Sequence, residues 1–240
     1  MKQWVKRLID VDGVRLATFE FDDPAGDTSA VSGAGNPAGP ATPENAERPT
    51  VLFVHGWNGE GRTWDAMLEN FRRAGWSDAQ LFNWAYDSSQ SNTLTAQQIA
   101  VMVERILRIT GAEKVDIVTH SMGALSSRYY LKNLGGTAKV DAWVSLAGPN
   151  HGTYTSNLCG SAACGEMRLG SPFLAALNDG DETPGKVRYA TWRSACDLVI
   201  NPDSSVPLIG AVNVETACLT HENITRDGRV FSQVLAFITQ

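Results

Sequence analysis

The chain has 240 residues, 43% hydrophobic and 19% charged, with a formal net charge of −6 and a pI of about 5.2. That balance suits a single globular α/β domain with a sizeable core. It argues against a nucleic-acid binder, since no Lys/Arg stripe or aromatic–basic interleaving is present, and no apolar run reaches the roughly 20 residues of a membrane-spanning helix.

Lys2, Lys6 and Arg7 open the chain, but Asp10 and Asp12 interrupt before an apolar stretch can form. No secretory signal is read there. Two short alternating runs, 6–11 and 14–21, flank Asp12-Gly13 and predict a β-hairpin. Residues 24–49 are rich in Pro, Gly, Ala and Ser and read as a flexible surface loop within one domain spanning 1–240.

Residues 51–54 are apolar and predict the first central strand, followed by His55-Gly-Trp-Asn-Gly59. A helix is expected over 63–73, with Trp64, Met67, Leu68 and Phe71 on one face, and a strand over 80–84. Residues 93–110 carry Ile99, Met102, Val103, Ile106 and Leu107 at helical spacing, stopped by Gly111. Residues 115–119 predict a buried parallel strand and 122–134 a helix ending at Gly135-Gly136. Further strands are expected over 140–146, 187–192 and 211–214, with a closing helix over 229–238. Residues 153–186 read as irregular, with one short helix over 172–177, and occupy the place of a small cap. Strands alternating with helices imply a mostly parallel sheet covered on both faces.

Ser121 falls between a predicted strand and a predicted helix, in Thr119-His-Ser-Met-Gly123. A serine on such a turn is a nucleophile elbow. The pattern Gly-x-Ser-x-Gly is met except at its first position, where Thr119 replaces glycine and must be accommodated. As a bare motif it is weak, and an ordinary strand–turn–helix would also contain it. Serine needs a base, and the base needs an orienting acid. Along the chain the expected order is Ser, Asp or Glu, then His. Of the four histidines, His55 and His120 precede the serine and His151 precedes the late strands. His221 remains as the base. Asp197, just past the 187–192 strand, is the expected acid, with Asp203 as runner-up. Oxyanion donors are expected from the Met122 amide and, in the loop after the first central strand, from the Trp57 amide. His55 and His151 read as loop-ordering residues.

Four cysteines permit three pairings, or none in a reducing compartment. Cys196 adjoins Asp197, and Cys218 lies three residues before His221. A Cys196–Cys218 bridge would tie the acid loop to the base loop, leaving Cys159–Cys164 to close a tight loop. Disulfides would place the protein in an oxidising, extracellular setting. Neither a metal-ligand cluster nor a cofactor motif is read.

The chain from Val51 onward resembles the α/β-hydrolase superfamily, and within it the bacterial triacylglycerol lipases and esterases. The likeness is strongest in His-Gly-Trp-Asn-Gly, in Lys114–Leu134 and in Ser-Ala-Cys-Asp. The Lys114–Leu134 stretch is similar to the small lidless lipases of Bacillus. The resemblance implies an α/β-hydrolase fold with a small lid or none, Ser121, Asp197 and His221 as triad, and Trp57 and Met122 as oxyanion donors. The expected activity is that of a serine ester hydrolase, and because Trp57, Met122 and the apolar loops offer little charge, a lipid or short-to-medium acyl ester is the expected substrate. No cofactor is expected, and a monomer is favoured with the oligomeric state left open. Rival expectations are an acyltransferase or thioesterase with the same triad, or a non-catalytic binding protein on the same fold.

Overall fold

The computed structural model describes residues 3–11, 14–22 and 48–240. The backbone divides into two compact units, Met1–Ala46 and Glu47–Gln240. In the first, β1 (Gln3–Val11) pairs antiparallel with β2 (Val14–Asp22), from Gln3 opposite Asp22 to Val11 opposite Val14. The Asp12-Gly13 turn and residues 24–47 of the expected loop lie outside the described residues.

The second unit is built on one sheet. Its strands are β3 (Thr50–Val54), β4 (Leu81–Asn83), β5 (Val115–His120), β6 (Val140–Leu146), β7 (Arg188–Arg193) and β8 (Val212–Glu215). They run parallel in the order β4-β3-β5-β6-β7-β8. The helices are α1 (Asp65–Arg73), α2 (Asn92–Thr110), α3 (Gly123–Asn133), α4 (Ala162–Met167), α5 (Pro172–Asn178) and α6 (Gly228–Ile238).

Alternation along the strands divides the core. Val51, Phe53, Val118 and Val144 pack with Met67 and Phe71 of α1 and Val234 and Phe237 of α6. Leu52, Val54, Ile117 and Trp143 face the other way, onto Ile99, Val103 and Ile106 of α2 and Tyr130 and Leu131 of α3. The long helix α2 starts and stops where its sequence predicts. Ser91 caps its first turn, and Gly111 ends it at φ 71°, in the left-handed region open to glycine.

Chain order and sheet order part company at one place. From β3 the chain steps outward to β4, then returns to the other side of β3 and proceeds outward through β5 to β8. The carboxyl ends of β3 and β5 therefore flank a topological switch point, where open α/β sheets form their clefts. Both the His55-Gly-Trp-Asn-Gly59 loop and Ser121 leave the sheet there.

Three expectations are refined. The 63–73 helix begins as a 3₁₀ turn, Gly61–Trp64, before α1. The edge strand expected over 80–84 is only Leu81–Asn83. Residues 153–186 hold more helix than their composition signals: a 3₁₀ turn at Tyr154–Leu158, then α4, then α5. Helix α4 is short, contains Cys164 and Gly165, and has no amphipathic run that would announce it.

Asp116 in β5 is buried, and its Oδ1 accepts from the Ala142 amide at 2.9 Å while Oδ2 has no partner. Burial raises its carboxyl from 3.8 to about 7, against the pull of the Ala142 hydrogen bond. The folded protein thus holds a proton between pH 4 and 7 that the unfolded chain gives up. This stabilisation is fully present below about pH 4 and is lost progressively as pH rises to about 7, at up to about 1.4 kcal/mol per pH unit. Asp116→Asn is expected to raise stability above pH 7 and leave it nearly unchanged below pH 4, as read by urea unfolding on either side of that window.

Candidate active site

The turn after β5 carries Ser121 at φ 54°, a left-handed conformation uncommon for a residue with a side chain. Its amide donates to Leu146 O at 2.9 Å, and its carbonyl accepts from the Ala124 amide at 3.0 Å. The backbone is therefore held from both sides of the turn. A Cβ on Gly123 would stand 2.5 Å from Val54 O, and one on Gly56 would stand 2.6 Å from Ser121 Cβ. Any side chain at either position would push β3 and β5 apart. Thr119, which replaces the first glycine of the elbow, is accommodated by donating its hydroxyl to Val144 O at 2.9 Å.

His221 comes from the loop between β8 and α6. Its Nδ1 lies 2.8 Å from Asp197 Oδ2, and both side chains are buried. Asp197 Oδ1 accepts from the Val199 and Ile200 amides at 2.8 and 2.9 Å. Burial works to raise this carboxyl, but the His221 hydrogen bond and charge, with the two amides, hold it below the ordinary carboxylate range. An ionised Asp197 fixes the proton on Nδ1 and leaves Nε2 with its lone pair. Asp203, the runner-up acid, is paired with Arg193 instead.

Ser121 and His221 open onto one cavity of about 560 Å³, together with Gly56, Trp57, Thr153 and Ile200. Among the described residues no hydrogen bond joins Ser121 to His221; such contacts commonly tighten only with substrate in place. Trp57, 43% exposed, lines the mouth. Met122 is fully buried beside Leu125, Ala163 and Met167, and its side chain does not line the cavity. Among the described residues neither the Trp57 nor the Met122 amide donates to a protein acceptor.

The family profile "Lipase (class 2)" matches residues 47–227. The chain belongs to the class 2 lipase family.

A triacylglycerol lipase of Pseudomonas fragi is 27% identical over 135 residues, covering 54% of this chain and 44% of that protein. Phospholipid:diacylglycerol acyltransferase 1 of Arabidopsis thaliana is 26% identical over 117 residues, covering 46% of this chain and 16% of that one. The chain thus spans less than half the length of these relatives. Among solved structures, the mature lipase BlEst2 of Bacillus licheniformis superposes with a TM-score of 0.69 at 19% identity, over 84% of this chain and 96% of that one. Its likeness shows the shared α/β-hydrolase fold, with the sheet open.

Other expectations from the sequence meet the structure unevenly. The cavity wall is more charged than expected: Glu60, Arg62, Glu222 and Arg226 all line it, with Arg62 paired to Glu60 at 2.8 Å. His55 is buried, donates Nδ1–H to Gly56 O at 2.8 Å and stacks on Tyr86, so it orders its loop as expected. His151 lies outside the cavity lining and bridges Ser205 O and Glu182. Sequence reading assigned no role to His120, which lines the cavity beside His221. Its only signal was its place next to the serine. Among the described residues no group of three or more His, Cys, Asp or Glu could hold a metal ion.

Both expected disulfides are formed, Cys159–Cys164 and Cys196–Cys218. The second spans 22 residues and joins the Asp197 loop to the His221 loop. Closing a loop of that length removes unfolded-state entropy worth about 3 kcal/mol. The Cys196→Ser/Cys218→Ser variant is expected to lose about that much stability in urea unfolding, whereas losing Cys159–Cys164, with its short separation of five, should cost clearly less.

Proposed function

We propose that this chain is a serine carboxylic-ester hydrolase that cleaves acyl esters such as triacylglycerols. The observation that carries the reading is the His221–Asp197 pair, 2.8 Å apart and buried, opening onto the same cavity as a serine held in left-handed geometry. Membership of the class 2 lipase family supports it.

In this mechanism Ser121 Oγ attacks the ester carbonyl while His221 Nε2 takes its proton. Negative charge develops on the carbonyl oxygen, where the Trp57 and Met122 amides receive it; Met122 stands at the positive end of α3. The imidazolium is stabilised by ionised Asp197 and returns its proton to the departing alcohol. Water then attacks the acyl-enzyme, deprotonated by the same nitrogen. The acid leaves, and Ser121 regains its proton.

Residues 1–240 act on this reading as a single hydrolase domain, with every catalytic part inside Glu47–Gln240. The two disulfides support an extracellular setting. The segment 153–186 serves as a fixed wall. Glu166 of α4 accepts from Ser91 Oγ and from Asn92 at 2.5–2.9 Å, and Asn178 donates to Asn150 O at 2.9 Å. Acyl transfer to an alcohol is a second reading, favoured by the likeness to the Arabidopsis acyltransferase. The same acyl-enzyme would then be captured by an alcohol in place of water.

Hydrolysis of p-nitrophenyl esters from acetate to palmitate tests the reading. Ser121→Ala is expected to lower kcat by about 10⁴-fold or more, and Asp197→Asn by about 10⁴-fold. Equal turnover by wild type and Ser121→Ala would refute it, and an added alcohol partitioning most of the acyl group into a new ester would favour transfer.

A further inference from the structure

His120 is buried at the end of β5, directly before Ser121, and no catalytic step above uses it. Its Nε2 lies 3.0 Å from the main-chain carbonyl of His221. The two imidazole rings stand 4.5 Å apart, tilted by 41°. A carbonyl oxygen only accepts, so His120 Nε2 carries the hydrogen. On its far side the ring meets Trp64 edge-on, at 6.5 Å. From these contacts we infer that His120 is a positioning residue, which clamps the His221 main chain to the strand that carries Ser121. The inference rests on the proposed roles of Ser121 and His221.

The geometry gives the clamp its purpose. Asp197 holds the His221 ring at Nδ1, and the Cys196–Cys218 bridge holds the loop behind it. Both belong to the β7–β8 side of the sheet, so neither fixes His221 relative to Ser121. His120 does so by a route of two adjacent residues and one hydrogen bond. No alternative anchor for the His221 carbonyl exists among the described residues.

The clamp must also stay uncharged. A second imidazolium at 4.5 Å would oppose the proton that His221 takes from the serine. Burial, followed by the His221 charge, lowers His120 to about 3, despite the opposing pull of the carbonyl hydrogen bond and Asp197; His55 adds to the lowering. His120 is therefore a neutral donor across the working pH range.

Three variants separate positioning from simple packing. His120→Gln can place an amide N–H where Nε2 was. His120→Asn is too short to reach, and His120→Phe keeps ring volume without a donor. Measured on p-nitrophenyl butyrate, Phe and Asn are expected to lose about 100-fold in kcat with KM nearly unchanged, and Gln to stay close to wild type. Thermal midpoints are read alongside; the Gln and Asn variants should melt together while differing in kcat. A downfield proton resonance for the His221–Asp197 hydrogen bond should persist in Gln and broaden in Asn.

Full activity of the Phe variant would overturn the inference. So would equal impairment of Gln and Asn in step with their melting points. If Phe fails to fold, the Gln–Asn comparison decides. Activity surviving in Ser121→Ala or His221→Ala would instead remove the catalytic reading beneath it, which marks that failure as distinct.

Discussion

The site depends on how closely β3 and β5 approach at their carboxyl ends. Gly123 turns into α3 directly beneath the Val54 carbonyl, and Gly56 passes against Ser121. Interiors packed at crystal-like density do not yield to an added methyl without moving the backbone. With both glycines in place, the loop after β3 and the turn after β5 share one spot, and the unpartnered amides of Trp57 and Met122 belong to those two segments. Larger residues there would force these two segments apart.

Strain collects at the same end of the sheet. Asn58, Ser121 and Ala147 are the non-glycine residues at positive φ among those described, and they follow β3, β5 and β6 respectively. Each such residue costs on the order of 1–3 kcal/mol and persists only where its surroundings over-determine it. The surroundings do so here. The Asn58 amide donates to Ser88 Oγ at 2.8 Å, that of Ser121 to Leu146 O, and that of Ala147 to Trp192 O, the last two at 2.9 Å. The parallel ladder, buried on both faces, thus holds the Ser121 and Ala147 turns in a conformation they would not adopt alone, and the Ser88 hydroxyl holds that of Asn58. It is this ladder, not local propensity, that presents Ser121 to the cavity.

Much of this was legible in the sequence because it is local. The elbow is five residues long, α2 announces itself by spacing and caps, and the cysteines lie beside the residues they brace. The pairing of Asp197 with His221 could be anticipated from chain order because few candidates exist. What stayed hidden depends on contacts between distant segments. Glu166 stabilises the start of α2 from about 74 residues away, and α4 takes its stability from such contacts and from Met122 and Leu125 beneath it. The charged wall was missed because Glu60, Arg62, Glu222 and Arg226 sit in loops whose convergence only the fold reveals. His120 looked like filler in a motif, since its partner is 101 residues further on.

A fixed wall and an open cavity have a common consequence. In lipases with a moving lid, substrate must supply differential binding energy to the open state before chemistry begins. Here the cap is tied at both ends to the body of the fold, by Glu166 to the α2 start, by Asn178 to the Asn150 carbonyl, and by Lys132 to the Leu177 carbonyl at 3.0 Å. These anchors engage buried partners and would all have to break for the segment to swing. No closed state of comparable energy is then available for a lipid surface to disfavour. On the proposed reading, selectivity falls to the static shape and charge of the cavity wall, where Trp57 supplies apolar surface and Arg226, unpaired among the described residues, supplies a cation. The rate should then follow the dissolved ester concentration smoothly, without a jump at the solubility limit.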